Sequence, residues 1–288
     1  VNHSLATAVR AAPIGRSAAD LHAALTFITP SATKPVLQSA AFTGGAPRVL
    51  FGTERHTVEI RDMRPHDFAL DRQGFALRRH ASKVADLYDD AAIETAYYAE
   101  IEALLRETMG ADRVIIFDAT RRSDGGAGGQ NRDGLRGPAS RVHVDYTEKS
   151  GPQRLKDLVG EAEAARLAAS GARIVQLNVW RPIRGPVLRS PLALADASSV
   201  RPADLVATDQ VFPDRVGEIY HLAHHPEQRW YYAPAMTPDE VLLIKGWDSL
   251  DDGRARFTPH GAFDPPDLPE DAPPRESIEV RTLVVIGG

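Results

Sequence analysis

The sequence predicts a mainly β protein with flanking helices, an α+β arrangement, and three observations carry that reading. Runs at residues 113–118, 141–147, 174–182, 241–245 and 275–286 are rich in Val, Ile and Leu and are of strand length. Long helical stripes are confined to residues 89–109 and 153–169. Pro182, Pro186 and Pro191 break regular structure after the 174–182 run, so residues 192–209 read as loop and short-strand material.

Taken in order, residues 17–27 (SAADLHAALTF) carry Leu21, Leu25 and Phe27 near helical spacing, with Ser17 as an N-cap, and are expected to form a helix. Strands are expected at residues 48–51 and 57–61, around a turn at 52–56, and again at 74–78. In residues 89–109, Ile93, Tyr97, Ile101, Leu104 and Leu105 share one stripe, acidic residues occupy the first turn, and Gly110 follows the last. That pattern predicts a helix. The strand at 113–118 is followed by a Gly-, Arg- and Asp-rich loop at 120–137. Its DGGAGG segment lacks the directly following helix that a dinucleotide fingerprint needs, so it is expected to be a mobile loop at the mouth of a site. A single helix is expected at 153–169, and loop with short strands at 192–209. Residues 1–110 are read as an α+β extension packed on a core at 111–288, the two forming one structural unit.

Composition narrows the function. A profile of 43% hydrophobic and 25% charged residues is that of a globular chain. The net charge of -5 and the absence of a basic stripe argue against nucleic acid or an anionic membrane as a partner. With no cysteine, disulfides, thiolate metal sites and cysteine nucleophiles are excluded, and any metal must be held by nitrogen and oxygen. No apolar window approaches a membrane span, and a cytoplasmic enzyme is the expectation.

The chemistry gathers on three strands. In the run from Arg141 to Thr147, alternation sends Arg141, His143, Asp145 and Thr147 one way and Val142, Val144 and Tyr146 the other. His143 and Asp145 then supply two-thirds of a facial triad of two histidines and a carboxylate, which holds non-haem Fe(II) with open positions. His-x-Asp is also common in surface hydrogen bonding, and a distant histidine is required to complete the set. In residues 174–182, Gln176, Asn178 and Trp180 share a face opposite Val175, Leu177 and Val179, so this strand lines a pocket unless it is a wet edge. In the last strand Arg275, Ser277, Glu279 and Arg281 share a face, and an arginine two residues from a hydroxyl can grip a carboxylate. His221, His224 and His225 form the densest histidine cluster, but Pro226 interrupts the helix that would align them. A solvated surface segment is expected there.

The His143-x-Asp145, His260 and Arg275-x-Ser277 pattern resembles the signature of Fe(II)/2-oxoglutarate-dependent oxygenases. The segments NVWRPI, RWYYAPAMTPDEVLLIKGWDS, TPHGAF and PPRESIEVR are similar to the CmcJ-like and gibberellin-desaturase-like group of secondary-metabolite hydroxylases and desaturases. The resemblance implies a double-stranded β-helix core, a jelly roll of the cupin kind. It implies Fe(II) held by His143, Asp145 and His260, and 2-oxoglutarate held at its distal carboxylate by Arg275 and Ser277. Arg281 is the fallback for that carboxylate, and Asn178 and Trp180 are the expected contacts to cosubstrate or substrate. The implied activity is hydroxylation or desaturation of an unactivated C–H position in a small molecule, with 2-oxoglutarate and O2 converted to succinate and CO2. A zinc or manganese hydrolase on the same ligands, or a non-catalytic binding protein on the same fold, are the alternatives.

Overall fold

The computed structural model describes residues 19–125, 130–131, 134–135 and 137–287. The described strands, in chain order, are β1 Leu21–Ile28, β2 Val36–Gln38, β3 Arg48–Leu50, β4 Thr53–Asp62, β5 Phe75–Arg79, β6 Arg113–Ser123, β7 Gln130–Asn131, β8 Gly134–Leu135, β9 His143–Val144, β10 Arg173–Pro182, β11 Leu192–Ala195, β12 Leu205–Val211, β13 Val216–Leu222, β14 Trp230–Tyr232, β15 Glu240–Asp248, β16 His260–Ala262 and β17 Glu276–Ile286. Two sheets face each other. The larger has the order β1-β4-β14-β11-β16-β9-β13-β12-β2-β3, and the smaller β5-β15-β10-β17-β6. The larger sheet curls back on itself, because Thr26 in β1 bridges Arg141 just ahead of β9. This curled, packed pair is the jelly roll that the sequence resemblance implies. Strands from the first 110 residues lie in both sheets, β1 to β4 in the larger and β5 in the smaller.

Alternation along the smaller sheet separates its two faces. Val175, Leu177 and Val179 of β10, with Val241 and Leu243 of β15, pack under Tyr97, Ile101 and Leu104 of the flanking helix. Each such buried side chain contributes roughly 1.5–3 kcal/mol relative to exposure. Trp180, Leu242 and Ile244 point the other way, toward Leu192, Leu194 and Ala262 of the larger sheet. The far face of the larger sheet is also apolar, with Val142, Ala193 and Leu222 covered by Leu25, Phe27 and Ile60 from β1 and β4.

Several expectations are corrected. Residues 21–27 are strand, not helix: Ala23, Leu25 and Phe27 are buried at a spacing of two and β1 pairs along its whole length with β4. Ser17 lies outside the described residues. Residues 53–56 belong to β4, not to a turn. The helix expected at 153–169 is two, Ser150–Val159 and Glu161–Ser170, broken at Gly160, whose φ of 82° and ψ of 160° fit neither helix. The helix near 89–109 holds, with Asp89 capping Asp90–Ala92, a π turn at Ile93–Tyr97, and Tyr98–Met109 closing at Gly110. The 113–118 strand extends to Ser123, and residues 126–129, most of the glycine run, lie outside the described residues.

The pairing of β10 with β15 slips between Gln176 and Leu177, leaving Gly246 as the extra residue of a bulge. A Cβ at Gly246 would lie 1.8 Å from Gln176 Oε1. Beside it the buried Lys245 donates to Asp71 and Asp248, each at 2.8 Å. Gly246→Ala is expected to displace Gln176 at an overpacking cost of about 1–3 kcal/mol. That should lower the melting temperature by about 2–12 °C at roughly 2–4 °C per kcal/mol for a chain of this size class. An unchanged thermal unfolding midpoint would show that Gln176 has room to move.

Candidate functional site

The two-residue strand β9 sits between β16 and β13, so His143 is in register with His260 on one side and His221 on the other. Cross-strand partners share a face. The rings of His143 and His260 lie with centroids 4.6 Å apart and tilted by 49°. Their Nδ1 atoms meet backbone carbonyls, His143 at Arg141 O (2.8 Å) and His260 at Thr258 O (3.0 Å). A carbonyl only accepts, so each Nδ1 carries a proton and Nε2 is the nitrogen each ring can offer to a metal. Burial, with His260 alongside, holds the His143 pKa down to about 4, and the ring is neutral and able to ligate.

Asp145 stands one residue beyond β9, with Oδ1 3.7 Å from His143 Nε2. Its Oδ2 accepts from Asn178 Nδ2 at 2.5 Å and lies 3.8 Å from Arg281 Nε. Burial opposes ionisation here, but the Arg281 charge foremost, with the Asn178 hydrogen bond beside it, outweighs it and holds the carboxyl well below its usual range. Asn178 in turn accepts from Gln176 Nε2 at 2.5 Å, so a buried amide ladder on β10 orients the carboxylate. Among the described residues no three His, Asp or Glu side chains are already drawn together tightly enough to hold an ion. The donor set fits a nitrogen- and oxygen-ligated divalent ion: two imidazoles whose Nδ1 atoms are tied to carbonyls so that Nε2 is the atom left to ligate, and one ionised carboxylate.

Arg275 precedes β17 and is buried. Its Nη1 donates to Ser190 O at 2.7 Å, its Cζ lies 5.6 Å from the Trp180 ring centroid, and its Nε has no partner in the structure. Burial, and then the neighbouring Arg122, bring its pKa down to about 10. A guanidinium held this way is suited to an anion. Ser277 is buried two residues further on. Arg281, by contrast, is engaged by Asp118 (2.8 Å), Glu279 (2.9 Å) and Asp145 (3.8 Å). Its fork is occupied by the protein's own carboxylates, which leaves Arg275 as the better anion partner of the two. Trp180, His143, His260, Arg275, Glu279 and Arg122 line one narrow cavity of about 20 Å³. That is little more than one water's worth of room.

Two residues were not singled out as site residues by the sequence reading. His221 is buried beside His143, its Nδ1 3.0 Å from Thr208 Oγ1 and its ring on Phe51. The expected solvated segment therefore fails at His221, while His224 stacks on His56 with centroids 3.8 Å apart. Alternation in Val216–Leu222 is the signal that would have placed His221 inward. Arg122 was hidden because the expected strand stopped at Asp118, and extension to Ser123 turns Arg122 into the cavity.

A family model described as oxidoreductase/YMDC permease-like domain (YDMC) matches residues 25–285. A hydroxylase/desaturase of Hormonema carpetanum, efuI, is 35% identical over 268 residues, covering 84% of this chain and 87% of that one. The Fe(II)/2-oxoglutarate-dependent dioxygenase nvfI of Aspergillus novofumigatus is 35% identical over 255 residues, covering 84% and 88%. A solved structure of the iron and alpha-ketoglutarate-dependent endoperoxidase NvfI superposes with a TM-score of 0.81 at 31% identity, over 93% of this chain and 98% of that one. Taken with the jelly-roll core and the paired imidazoles, these likenesses show that the chain belongs to the Fe(II)/2-oxoglutarate-dependent oxygenases, among their hydroxylase/desaturase members.

Proposed function

We propose that His143, Asp145 and His260 hold Fe(II), that Arg275 and Ser277 hold the distal carboxylate of 2-oxoglutarate, and that the enzyme hydroxylates or desaturates an unactivated C–H position of a small secondary metabolite. The observation that carries this reading is the pair of registered imidazoles, both pinned through Nδ1 and facing Asp145. A zinc or manganese hydrolase would have no use for the under-paired Arg275 in the same cavity. We also read residues 19–287 as one structural unit, since strands from the N-terminal third complete both sheets. Among the described residues no helix is long and apolar enough to cross a membrane, and a cytoplasmic location remains our reading of the composition.

When bound, Fe(II) and 2-oxoglutarate supply the oxidising chemistry, turning O2 and the cosubstrate into succinate and CO2 as a substrate C–H bond is oxidised. The chain's residues do the rest. His143 and His260 present Nε2 from adjacent strands, so their separation is set by the sheet and not by flexible loops. Asn178 aims the Asp145 carboxylate and Arg281 keeps it ionised. Trp180 covers one side of Arg275 and Leu192 adds an apolar wall, which keeps water away from the anion and strengthens its pairing.

His143→Ala, Asp145→Ala and His260→Ala should each abolish turnover while leaving the fold intact, because their strands are held by their apolar faces. Full activity in any of them, assayed with added Fe(II), removes that residue from the ligand set. Asn178→Ala is expected to weaken metal binding by about 10- to 100-fold, read by calorimetric titration; unchanged affinity would leave Asn178 a packing residue only. Arg275→Gln should raise the 2-oxoglutarate requirement by roughly 30- to 1000-fold, for a lost buried charge pair of about 2–4 kcal/mol. Ser277→Ala should do the same more weakly. A large effect from Arg281→Gln with none from Arg275→Gln would move the carboxylate six residues along β17.

A further inference from the structure

The cavity beside the paired imidazoles, at about 20 Å³, has no room for a substrate as well as a cosubstrate. A second cavity of about 310 Å³ adjoins it, at the lower end of the range that encloses a small-molecule ligand. The two share their walls. In residues 138–140, Ala139 lines the first cavity while Pro138 and Ser140 line the second. On β16, His260 and Ala262 share a face, and His260 lines the first cavity and Ala262 the second. Ser190 lines the second, and its carbonyl accepts from Arg275 Nη1 of the first at 2.7 Å.

Much of the polar lining of the second cavity comes from the N-terminal strands. Thr26 of β1 is paired with Arg55 of β4 on one side and bridges Arg141 on the other, and cross-strand partners share a face. Thr26 and Arg55 line the cavity, and Arg141 directly follows Ser140, which also lines it. Among the described residues, the side chains of Thr26, Arg55, Ser140 and Arg141 have no hydrogen-bond or ion-pair partner. Arg141 Nε is buried in that state, and burial lowers the Arg141 pKa with no counter-charge to oppose the shift. Two carboxylates also line the cavity. Asp124 is engaged within the protein, accepting from Arg275 N at 2.8 Å and Ser190 Oγ at 3.0 Å, whereas Asp264 is exposed. Two guanidiniums against one exposed carboxylate leave the Thr26 side positive, and the lining at Ala24, Pro138, Ala262 and Phe263 is apolar.

We propose that the second cavity holds the substrate to be oxidised, and that Arg55, with Arg141, Thr26 and Ser140 around it, recognises an acidic group on an otherwise apolar small molecule. This rests on the assignment of Fe(II) to His143, Asp145 and His260. The acidic group stays at the N-terminal strands while the apolar part runs past Ala262 toward His260, so the guanidinium pairing sets which carbon reaches the metal side. Metal and cosubstrate are then held by residues from 143 onward, and substrate choice falls to β1 and β4.

The test uses the full chain loaded with Mn(II) and 2-oxoglutarate under anaerobic conditions, so that nothing turns over. The probes are naphthylacetate, phenylbutanoate and indolylpropionate, each compared with its primary amide, which keeps the shape and loses the charge. Calorimetry reads affinity, and Mn(II) relaxation of probe protons reads proximity to the metal. At least one acid should bind more tightly than its amide, with its ring protons relaxed by the metal. Arg55→Gln should weaken that acid by about 10-fold, the size of one charge-assisted hydrogen bond, and leave the amide and 2-oxoglutarate unchanged. Arg55→Lys should keep part of the preference, because the charge remains without the planar fork. Equal affinity for acid and amide, or an Arg55→Gln loss shared by the amide, would overturn the acidic substrate class. A bound probe without relaxation, or no binding of any probe, would remove the substrate from this cavity. Failure of the unmodified chain to bind Mn(II) or 2-oxoglutarate would overturn the underlying metal and cosubstrate assignment instead.

Discussion

The site depends on one constraint of register: His143 must stand opposite His260 across the pairing of β9 with β16. A strand of two residues cannot enforce this by its own ladder. Its neighbours do, through Val142 N to Thr26 O (2.9 Å), Leu222 N to Val142 O (3.2 Å) and Ala262 N to Ala139 O (2.7 Å). Val142 is itself buried in the apolar layer on the far side of the sheet. A slip of one residue would drive an imidazole into that layer and a valine into the cavity, so hydrophobic burial and the geometry of the proposed ligand set call for the same pairing. The N-terminal strand β1, which covers Val142, is in this sense part of the site's support.

A second support comes from the opposite sheet. Gly246 leaves the space that Gln176 fills, Gln176 donates to Asn178, Asn178 donates to Asp145, and Arg281 closes the chain from β17. Each link is buried and directional, so Asp145 is aimed by β10 and β17 and the histidines by β9 and β16. The two sheets meet at the proposed ligand set, and a change in how they pack would alter its geometry before it altered the fold. Arg281 is offset by the protein's own carboxylates, whereas buried Arg275 keeps an Nε without a partner in the structure and is the guanidinium that an anion would satisfy.

Much of this was legible in the sequence because the signals were local. Alternation in residues 174–182 separated the amide and indole face from the valine face, and the stripe, acidic first turn and Gly110 defined the helix near 89–109. Residues 17–27 misled because Leu21, Leu25 and Phe27 fit a period near 3.6 as well as a period of two. Only pairing with β4, at a distance along the chain that local pattern does not reach, decides between them. Residues 153–169 read as one helix because the stripe continues across Gly160, whose backbone breaks it. His221 and Arg122 were missed for a third reason. Their inward direction is fixed by strands whose extent depends on partners in β9 and β17, which local pattern does not reveal.

The most direct test of the account is anomalous diffraction at the iron edge from crystals grown anaerobically with Fe(II) and 2-oxoglutarate. The account predicts one strong peak within bonding distance of His143 Nε2, His260 Nε2 and an Asp145 oxygen, with the cosubstrate between that peak and Arg275. A peak elsewhere, or an iron held without Asp145, would contradict it.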